Sequence, residues 1–523
     1  MIENKVQIPK GWNSATLSEI TSKLVDGSHS PPPKQSGGFP MLSAINIDNN
    51  KINFSSYRLI TKSSFELEDC RTRIKAGDVL LTIVGAIGRT AVVPDGIKPF
   101  TLQRSVAVLT PILVDPKFLM YQIESPDLSN FFMRNARGTA QKGIYLNVLG
   151  GTEILIPPLN EQKRIVAKIE ELFSELDKGV ESLKTAREQL KVYRQAVLKH
   201  AFEGKLTTHW REQNKNKLET ADQLLERIKR EREAYYQIQL EEWKESIVTW
   251  ETNGKEGKQP SQPKSPDKIV HIREEDLKQL PKLPQGWMWI KLLNISKNIQ
   301  IGPFGSLLHQ HDYVAGGWPL VNPSHIKDQK IYPDNNLTIT AEKLKELTNY
   351  RLQEGDVVMG RRGEMGRCAV VTKKEAGWLC GTGSLFVRLL DSFCSWFYCQ
   401  ALSSQRAKEY LSSSSIGTTM QNLNQKILYE MPVPVCSVEE QIEIMKEIER
   451  QFSVIDGLEE TINSELQKSA ALRQSILKKA FTGRLVAQEP NDEPASVLLE
   501  RIRAEKEAQI TESKKPKAKR NAA

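Results

Sequence analysis

The sequence predicts an α+β protein with an internal duplication: two mixed α/β globular domains joined by a long antiparallel two-helix coiled coil, in pseudo-two-fold arrangement. Three observations lead there. The stretch RQAVLKHAFEGKL (194–206) is written again as RQSILKKAFTGRL (473–485), 279 residues later and without an insertion. Each copy closes a run of about 44 residues with heptad-like apolar spacing. Each such run follows a region of short β-prone segments punctuated by turn residues.

The match extends outward from that pair. EQKRIVAKIEELFSELD (161–177) aligns with EQIEIMKEIERQFSVID (440–456), GDVLLTIVGAIGRTAVV (77–93) with GDVVMGRRGEMGRCAVV (355–371), and KGWNSATLSEI (10–20) with QGWMWIKLLNI (285–295). LLERIKREREA (224–234) is echoed by LLERIRAEKEA (498–508). A unit of about 250 residues is far longer than a solenoid repeat, so the chain carries duplicated domains. A length of 523 residues likewise exceeds one ordinary core.

The elements follow in order. Residues 1–157 form the first globular domain, whose runs DVLLTIV and TAVVP read as strands, with turns at PDG (94–96) and DG (26–27). Residues 158–206 form the first long helix. Asn160 is a plausible N-cap, and Ile165, Ile169, Leu172, Leu176, Leu183, Leu190 and Val197 recur at alternating spacings of 4 and 3, with small residues at Gly179 and Ala186. Residues 207–280 combine a helical stretch (220–247) with ETNGKEGKQPSQPKSPDK (251–268), whose composition suits a flexible linker.

Residues 281–436 repeat the globular domain and 437–485 the helix. The second helix opens on a capping box, Ser437 with Glu440, and carries Ile444, Ile448, Ile455, Leu458, Ile462, Leu472 and Ile476 along its seam. Gly204 and Gly483 supply the C′ residues of the two helices. Residues 486–523 are a C-terminal helix with a basic tail. A helix of this length spans ~65 Å at 1.5 Å per residue, and its apolar stripe needs a partner. The other copy is that partner, packed through Ile165, Ile169, Leu172, Leu176, Leu183, Leu190, Ile444, Ile448, Ile455, Ile462 and Ile476.

The net charge is +9, and its placement is informative. Residues 1–157 hold 17 Lys and Arg against 13 Asp and Glu, and residues 281–436 hold 17 against 12, so the two globular domains account for the whole excess. Such a distribution fits a polyanionic partner. No apolar run approaches the ~20 residues of a spanning helix. The segment MIENKVQIPKGW lacks the apolar core of a signal peptide, so a cytoplasmic location is expected. The six cysteines contain no CxxC pair and read as ordinary reduced thiols.

Catalytic signatures are missing from the sequence. The Gly-Lys pairs at Gly204, Gly254 and Gly257 lack the Ser or Thr that completes a phosphate-binding loop. Ser30-Pro31-Pro32 is followed by Pro33 and not by the aromatic ring that an amino-methyltransferase stacks on an extruded base. Pro266-Asp267 with Asp276-Leu277-Lys278 spells a loose nuclease motif inside a polar linker, where chance explains it. His309 and His311 could face one direction on a strand, but no acidic or thiol partner is read near them in sequence, so they are taken as polar or DNA-facing residues and no metal is expected.

With these residues on the page, the layout resembles the specificity subunits of type I restriction-modification systems. The resemblance rests on GW near each module start, DGSHSPPP, GDVLL…GAIGR and GDVV…RGEMGR, the EQ-initiated helices, and the endings AFEGKL and AFTGRL. It implies a non-catalytic DNA reader: two target-recognition domains held apart by antiparallel spacer helices, each reading one half of a bipartite, asymmetric site in double-stranded DNA. It further implies methylation subunits, two of them, and restriction subunits docked on the chain. Those partners, and not this chain, would bind S-adenosylmethionine, ATP and Mg²⁺. A two-headed DNA-binding regulator acting alone and a coiled-coil scaffold are the alternatives. The regulator would bind specifically by itself, and the scaffold would show no salt-dependent DNA binding.

Frameworks shared between the copies with divergent loops suggest two different half-sites. Polar and basic residues in those loops are the DNA-contact candidates, because base edges are read by Arg, Asn and Gln against a background of phosphate contacts. In the first domain they are His29, Lys34, Gln35, Arg89, Gln103, Arg104, Arg137, Gln141, Lys142 and Tyr145. In the second they are His309, Gln310, His311, Asn322, His325, Arg361, Arg362, Arg367, Gln421 and Asn422. Arg361 and Arg362, flanked by Gly360 and Gly363, stand out, and their first-domain counterparts are Ile83 and Val84.

Overall fold

The structure is a computed structural model that describes residues 8–138, 141–266, 268–303, 307–414 and 422–514. The chain divides into two compact units, Met1–Thr185 with Ile462–Ala523, and Ala186–Thr461. Each unit therefore combines one globular head with the first part of one long helix and the last part of the other.

In the first unit the head is built on a four-stranded antiparallel sheet ordered Thr21–Asp26, Val106–Pro111, Val79–Thr82, Thr90–Val92. Val108 stands opposite both Val25 and Leu80. The central strands are buried almost throughout, which is why VAVLTP and VLLT read as continuous apolar runs without alternation. A three-stranded sheet, Arg58–Ile60, Phe39–Leu42 and Thr101–Leu102, is formed by segments inserted between the strands Thr21–Asp26 and Val106–Pro111. Asn13–Thr16 pairs with Glu153–Ile156, so the start of the head is tied to the residues just before the first long helix.

The second head repeats the plan. Ser296–Ile301, Ser384–Leu389, Val357–Gly360 and Cys368–Val370 form the matching four-stranded sheet, and Met288–Lys291 pairs with Pro432–Val435. The Asp of each GD motif is completely buried. Asp78 accepts from Lys75 N–H at 3.0 Å and Thr110 Oγ at 2.6 Å and pairs with Lys23. Asp356 accepts from Gln353 N–H at 2.7 Å and is held by both Nε and an Nη of Arg388, each at 2.8 Å. The GD repeat is therefore a structural clamp, not part of a surface.

The long helices run over Leu159–Phe202 and Val438–Phe481, 44 residues each. Asn160 lies inside the first turn and not at the cap. Both helices end in a Schellman motif: Gly204 N–H donates to Ala201 O (3.1 Å) and Lys205 N–H to His200 O (2.8 Å), with Gly483 and Arg484 repeating the pair. Gly204 and Gly483 have φ of +69° and +68°, the left-handed conformation expected at C′.

Within each unit the two helix segments run antiparallel. Arg473 lies 3.9 Å over the Phe173 ring and 2.9 Å from Asp177 in the first unit. Arg194 lies 4.6 Å over the Phe452 ring and pairs with Asp456 in the second. All three partners are offset by the same 279 residues, so the Arg of each repeated helix ending clasps the helix start of the other copy. Phe481 likewise meets Phe118 of the first head, and Phe202 meets Phe397 of the second, at ring-centroid distances of 5.4 and 5.2 Å.

Of the predicted seam, Ile165, Ile169, Val197, Ile444, Ile448, Ile455, Ile462 and Ile476 are buried, while Leu172, Leu176, Leu183 and Leu190 are partly buried. Leu458 and Leu472 instead face solvent at 48% and 51% exposure, and Gly179 is exposed too. A straight α-helix drifts about 20° per heptad from a 3.5-residue repeat, so a seam counted in sevens rotates off a two-helix contact.

Two further expectations are corrected. Asp26-Gly27 is not a turn: Gly27 directly follows the strand Thr21–Asp26 and its N–H donates to Val106 O at 3.1 Å, and a Cβ there would stand 2.2 Å from the Leu102 carbonyl oxygen, as one at Gly302 would stand 2.0 Å from that of Gly381. The glycine is required for close backbone approach. After the helix Ala221–Thr252, the described residues of the polar stretch hold no helix or strand, yet Trp243 Nε1 donates to Pro260 O (3.0 Å) and Trp250 Nε1 to Gly257 O (3.3 Å), holding it back against that helix.

The GW and EQ motifs turn out to be one interaction. Trp12 Nε1 donates to Glu161 at 3.0 Å, and Trp287 Nε1 donates to Glu440 at 2.8 Å. Ser437 does accept from Glu440 N–H (3.3 Å), but the Glu440 carboxylate faces Trp287, Thr207 (2.7 Å) and Arg211 (2.8 Å) and does not reach back to close a capping box. The adjacent glutamines clamp the heads: Gln162 bridges Asp115 N–H and Pro157 O, and Gln441 bridges Cys394 N–H and Cys436 O, all at 3.0 Å. Burial raises the Glu161 carboxyl above the usual range, with the Trp12 bond partly offsetting it. Glu161→Gln keeps an acceptor for Trp12 and should cost less than about 1 kcal/mol. Glu440→Gln strands Arg211 in a mostly buried site and should cost about 1–3 kcal/mol. Urea midpoints of the two variants check this asymmetry, and equal losses contradict it.

Candidate nucleic-acid interface

In each head, backbone hydrogen bonds stitch the divergent loops together. In the first, Ser28 N–H donates to Leu102 O and Arg104 N–H to Ser28 O, both at 2.8 Å. Ile83 N–H donates to Ser105 O and Ile144 N–H to Ile83 O, both at 2.9 Å, and Gly85 N–H donates to Lys142 O at 3.1 Å. Loops 27–38, 83–89, 103–105 and 141–144 are thereby one cluster. Arg58 supports it from behind by donating to the Pro31 and Pro32 carbonyls (3.3 and 2.6 Å), which fixes the triple-proline loop.

The second head carries the same stitching. Arg361 N–H donates to Gly383 O (2.9 Å), Leu423 N–H donates to Arg361 O (3.0 Å), and Arg362 forms a β-bridge with Asn422 where Val84 forms one with Gly143. Ile83 and Val84 are thus the structural counterparts of Arg361 and Arg362. One backbone scaffold presents two different sets of side chains.

Placement separates the candidates. His29, Lys34, Gln35, Arg89, Arg104, Arg137, Gln141, Lys142 and Tyr145 are exposed, and Gln103 is partly buried. His29 Nε2 sits 2.7 Å from Asp26, and Arg89 Nη1 sits 3.3 Å from Asp48. Lys34, Arg104, Arg137 and Lys142 hold no ion pair among the described residues. In the second head His309, Gln310, His311 and Arg362 are exposed, and Asn322, Arg367 and Asn422 are partly buried. Arg367 is engaged by Glu364 (2.9 Å) and Pro323 O (3.2 Å). Gln421 lies outside the described residues.

Two candidates are interior. Arg361 is 9% exposed, and its Nε donates to Leu423 O at 3.1 Å. Burial, with Arg362 beside it, pushes its guanidinium pKa down. Gly360 brings the backbone close to Pro323, where a Cβ would stand 3.2 Å from the proline Cβ, and the Arg361 guanidinium lies inward. His325 is 5% exposed, with Nδ1 3.0 Å from Leu320 O. It occupies the short-turn position that the buried Asn46 holds in the first head; Tyr332 N–H donates to His325 O as Asn53 N–H does to Asn46 O. The sequence reading also passed over Asp312, which directly follows His311 and whose carboxylate lies against both histidines.

Comparison with known proteins gives the family. The model of the type I restriction modification DNA specificity domain matches residues 9–185 and 305–468. The chain belongs to this family, the DNA sequence-specificity subunits of type I restriction-modification systems. The EcoBI specificity subunit of Escherichia coli is 29% identical over 238 residues, 44% of this chain and 50% of that protein. The EcoKI specificity subunit of Escherichia coli K12 is 22% identical over 525 residues, covering 96% of this chain and 97% of that one. A solved structure described as the structural basis of complex assembly and conformational transition of the type I R-M system aligns over 92% of this chain and 100% of its own. Its TM-score is 0.59 at 19% identity, a likeness of fold. Among the described residues, no helix is long and apolar enough to cross a membrane.

The burial difference at the twin arginines is directly testable. Arg361→Ala should destabilise the chain by about 1–3 kcal/mol, because it removes a buried donor from the Leu423 carbonyl. Arg362→Ala should stay within about 0.5 kcal/mol of the parent. Urea denaturation followed by circular dichroism checks both, and equal effects contradict the placement.

Proposed function

We propose that each head reads one half of a bipartite, asymmetric double-stranded DNA site. The observation that carries this reading is the shared loop scaffold, which holds Ile83 and Val84 in one head and Arg361 and Arg362 in the other through equivalent backbone bonds. Equal scaffolds give equal docking, and unequal side chains give unequal readout. The exposed cations Lys34, Arg104, Arg137, Lys142 and Arg362 suit phosphate and base-edge contacts. His29, Gln35, Arg89, Gln103, Gln141, Tyr145, His309, Gln310, His311, Asn322, Arg367 and Asn422 complete the proposed surface. Arg361 and His325 support it by shaping its loops.

In this reading the chain performs no chemistry itself. Two methylation subunits and the restriction subunits dock on it and bring S-adenosylmethionine, ATP and Mg²⁺. The long helices fix the half-site separation, so a change of one helical turn, about 5.4 Å, shifts the preferred spacing by a base pair or two.

The test is binding by the reconstituted complex of this chain with its methylation subunits, measured on a library of bipartite sites. Arg362→Ala should lose about 1–3 kcal/mol of discrimination at one half-site and leave the other untouched. Lys142→Ala should weaken binding evenly across sequences and lower the salt dependence by roughly one phosphate contact. A complex that binds one contiguous half-site, or an Arg362→Ala complex with unchanged preference at both halves, overturns the proposal.

A further inference from the structure

The second head contains a grouping that DNA reading does not use in full. Gln310–Asp312 forms a single 3₁₀ turn, and Asp312 accepts the His309 backbone N–H at 2.7 Å, which fixes the carboxylate beneath the turn. The His309 and His311 rings stack at 5.2 Å between centroids and 15° between planes. Asp312 Oδ2 lies 3.8 Å from His309 Nδ1, and Oδ1 lies 3.9 Å from His311 Nε2. One ligand atom from each of the three residues falls within 4.8 Å of the others.

We propose that His309, His311 and Asp312 form a binding site for a borderline divalent transition-metal ion of the zinc class. Two imidazole nitrogens and one carboxylate oxygen are a donor set such ions prefer, while Mg²⁺ and Ca²⁺ prefer oxygen alone. Ligands at about 2.0–2.2 Å from a tetrahedral ion stand roughly 3.3–3.5 Å apart, so the observed separations close with small rotations of exposed imidazoles. His311 is 81% exposed at its side chain and His309 is 48% exposed, and neither must leave a packed core to turn inward. The carboxylate is already placed, because the His309 backbone N–H donates to it at 2.7 Å.

Lys343 is the competitor. Its Nζ lies 3.7 Å from Asp312 but only 3.1 Å from Glu346, so an arriving cation displaces it onto a partner it already has. A fourth position stays open for water. The bound ion would cross-link three residues within a four-residue span of the loop and add positive charge to it.

The test uses the full chain, stripped with a chelator and titrated with Zn²⁺ against a chromophoric zinc indicator. The parent should take up one equivalent that His311→Ala and Asp312→Asn bind at least about tenfold more weakly. His311 is exposed and Asp312→Asn keeps an acceptor for the His309 N–H, so unchanged circular dichroism and urea midpoints confirm folding. A parent that takes up no zinc, or variants that retain the full equivalent at parental affinity, for instance through Cys70, overturn the proposal. DNA binding is not the readout, so the site and the half-site reading fail separately.

Discussion

The structure depends on a buried carboxylate meeting a tryptophan, made twice. Trp12 with Glu161 and Trp287 with Glu440 join the first residues of each head to the first turn of the long helix that leaves it. A carboxylate removed from water is costly unless its oxygens are bonded, and here the indole supplies the bond. Helix direction is thereby fixed relative to the head. The flanking glutamines add a second attachment a residue further on, so each helix leaves its head rigidly.

That attachment leaves the far end of each helix to be held, and the repeat supplies the holder. Arg473 stacks on Phe173 and pairs with Asp177, and Arg194 does the same with Phe452 and Asp456. Each compact unit is consequently built from both copies. A duplicated sequence can keep these framework residues constant while its loops diverge, because the loops take no part in either attachment. The unequal side chains on one loop scaffold follow from this division of labour.

Much of this was legible in the sequence. The duplication, the two long helices and their glycine endings were visible because period and C′ chemistry are local signals. The Trp–Glu bond was visible only as two unconnected motifs, since partners 149 and 153 residues apart leave no local trace. Burial at Arg361 was hidden for a related reason, since a neighbouring glycine announces close approach without saying which surface is approached, and burial at His325 depends on a contact with Leu320 that a polar loop does not announce. The contact of Asp312 with His309 and His311 was passed over through attention to the histidines alone, though Asp312 stood next in sequence.

In the proposed reading, two heads that carry different side chains on one loop scaffold read two unlike sequences. Sequencing of modified bases in DNA from cells carrying this chain with its methylation and restriction subunits tests that account most directly. It predicts one bipartite motif whose two halves differ and are separated by a fixed number of unspecified base pairs. A single uninterrupted motif, or two identical halves in palindromic arrangement, would contradict it.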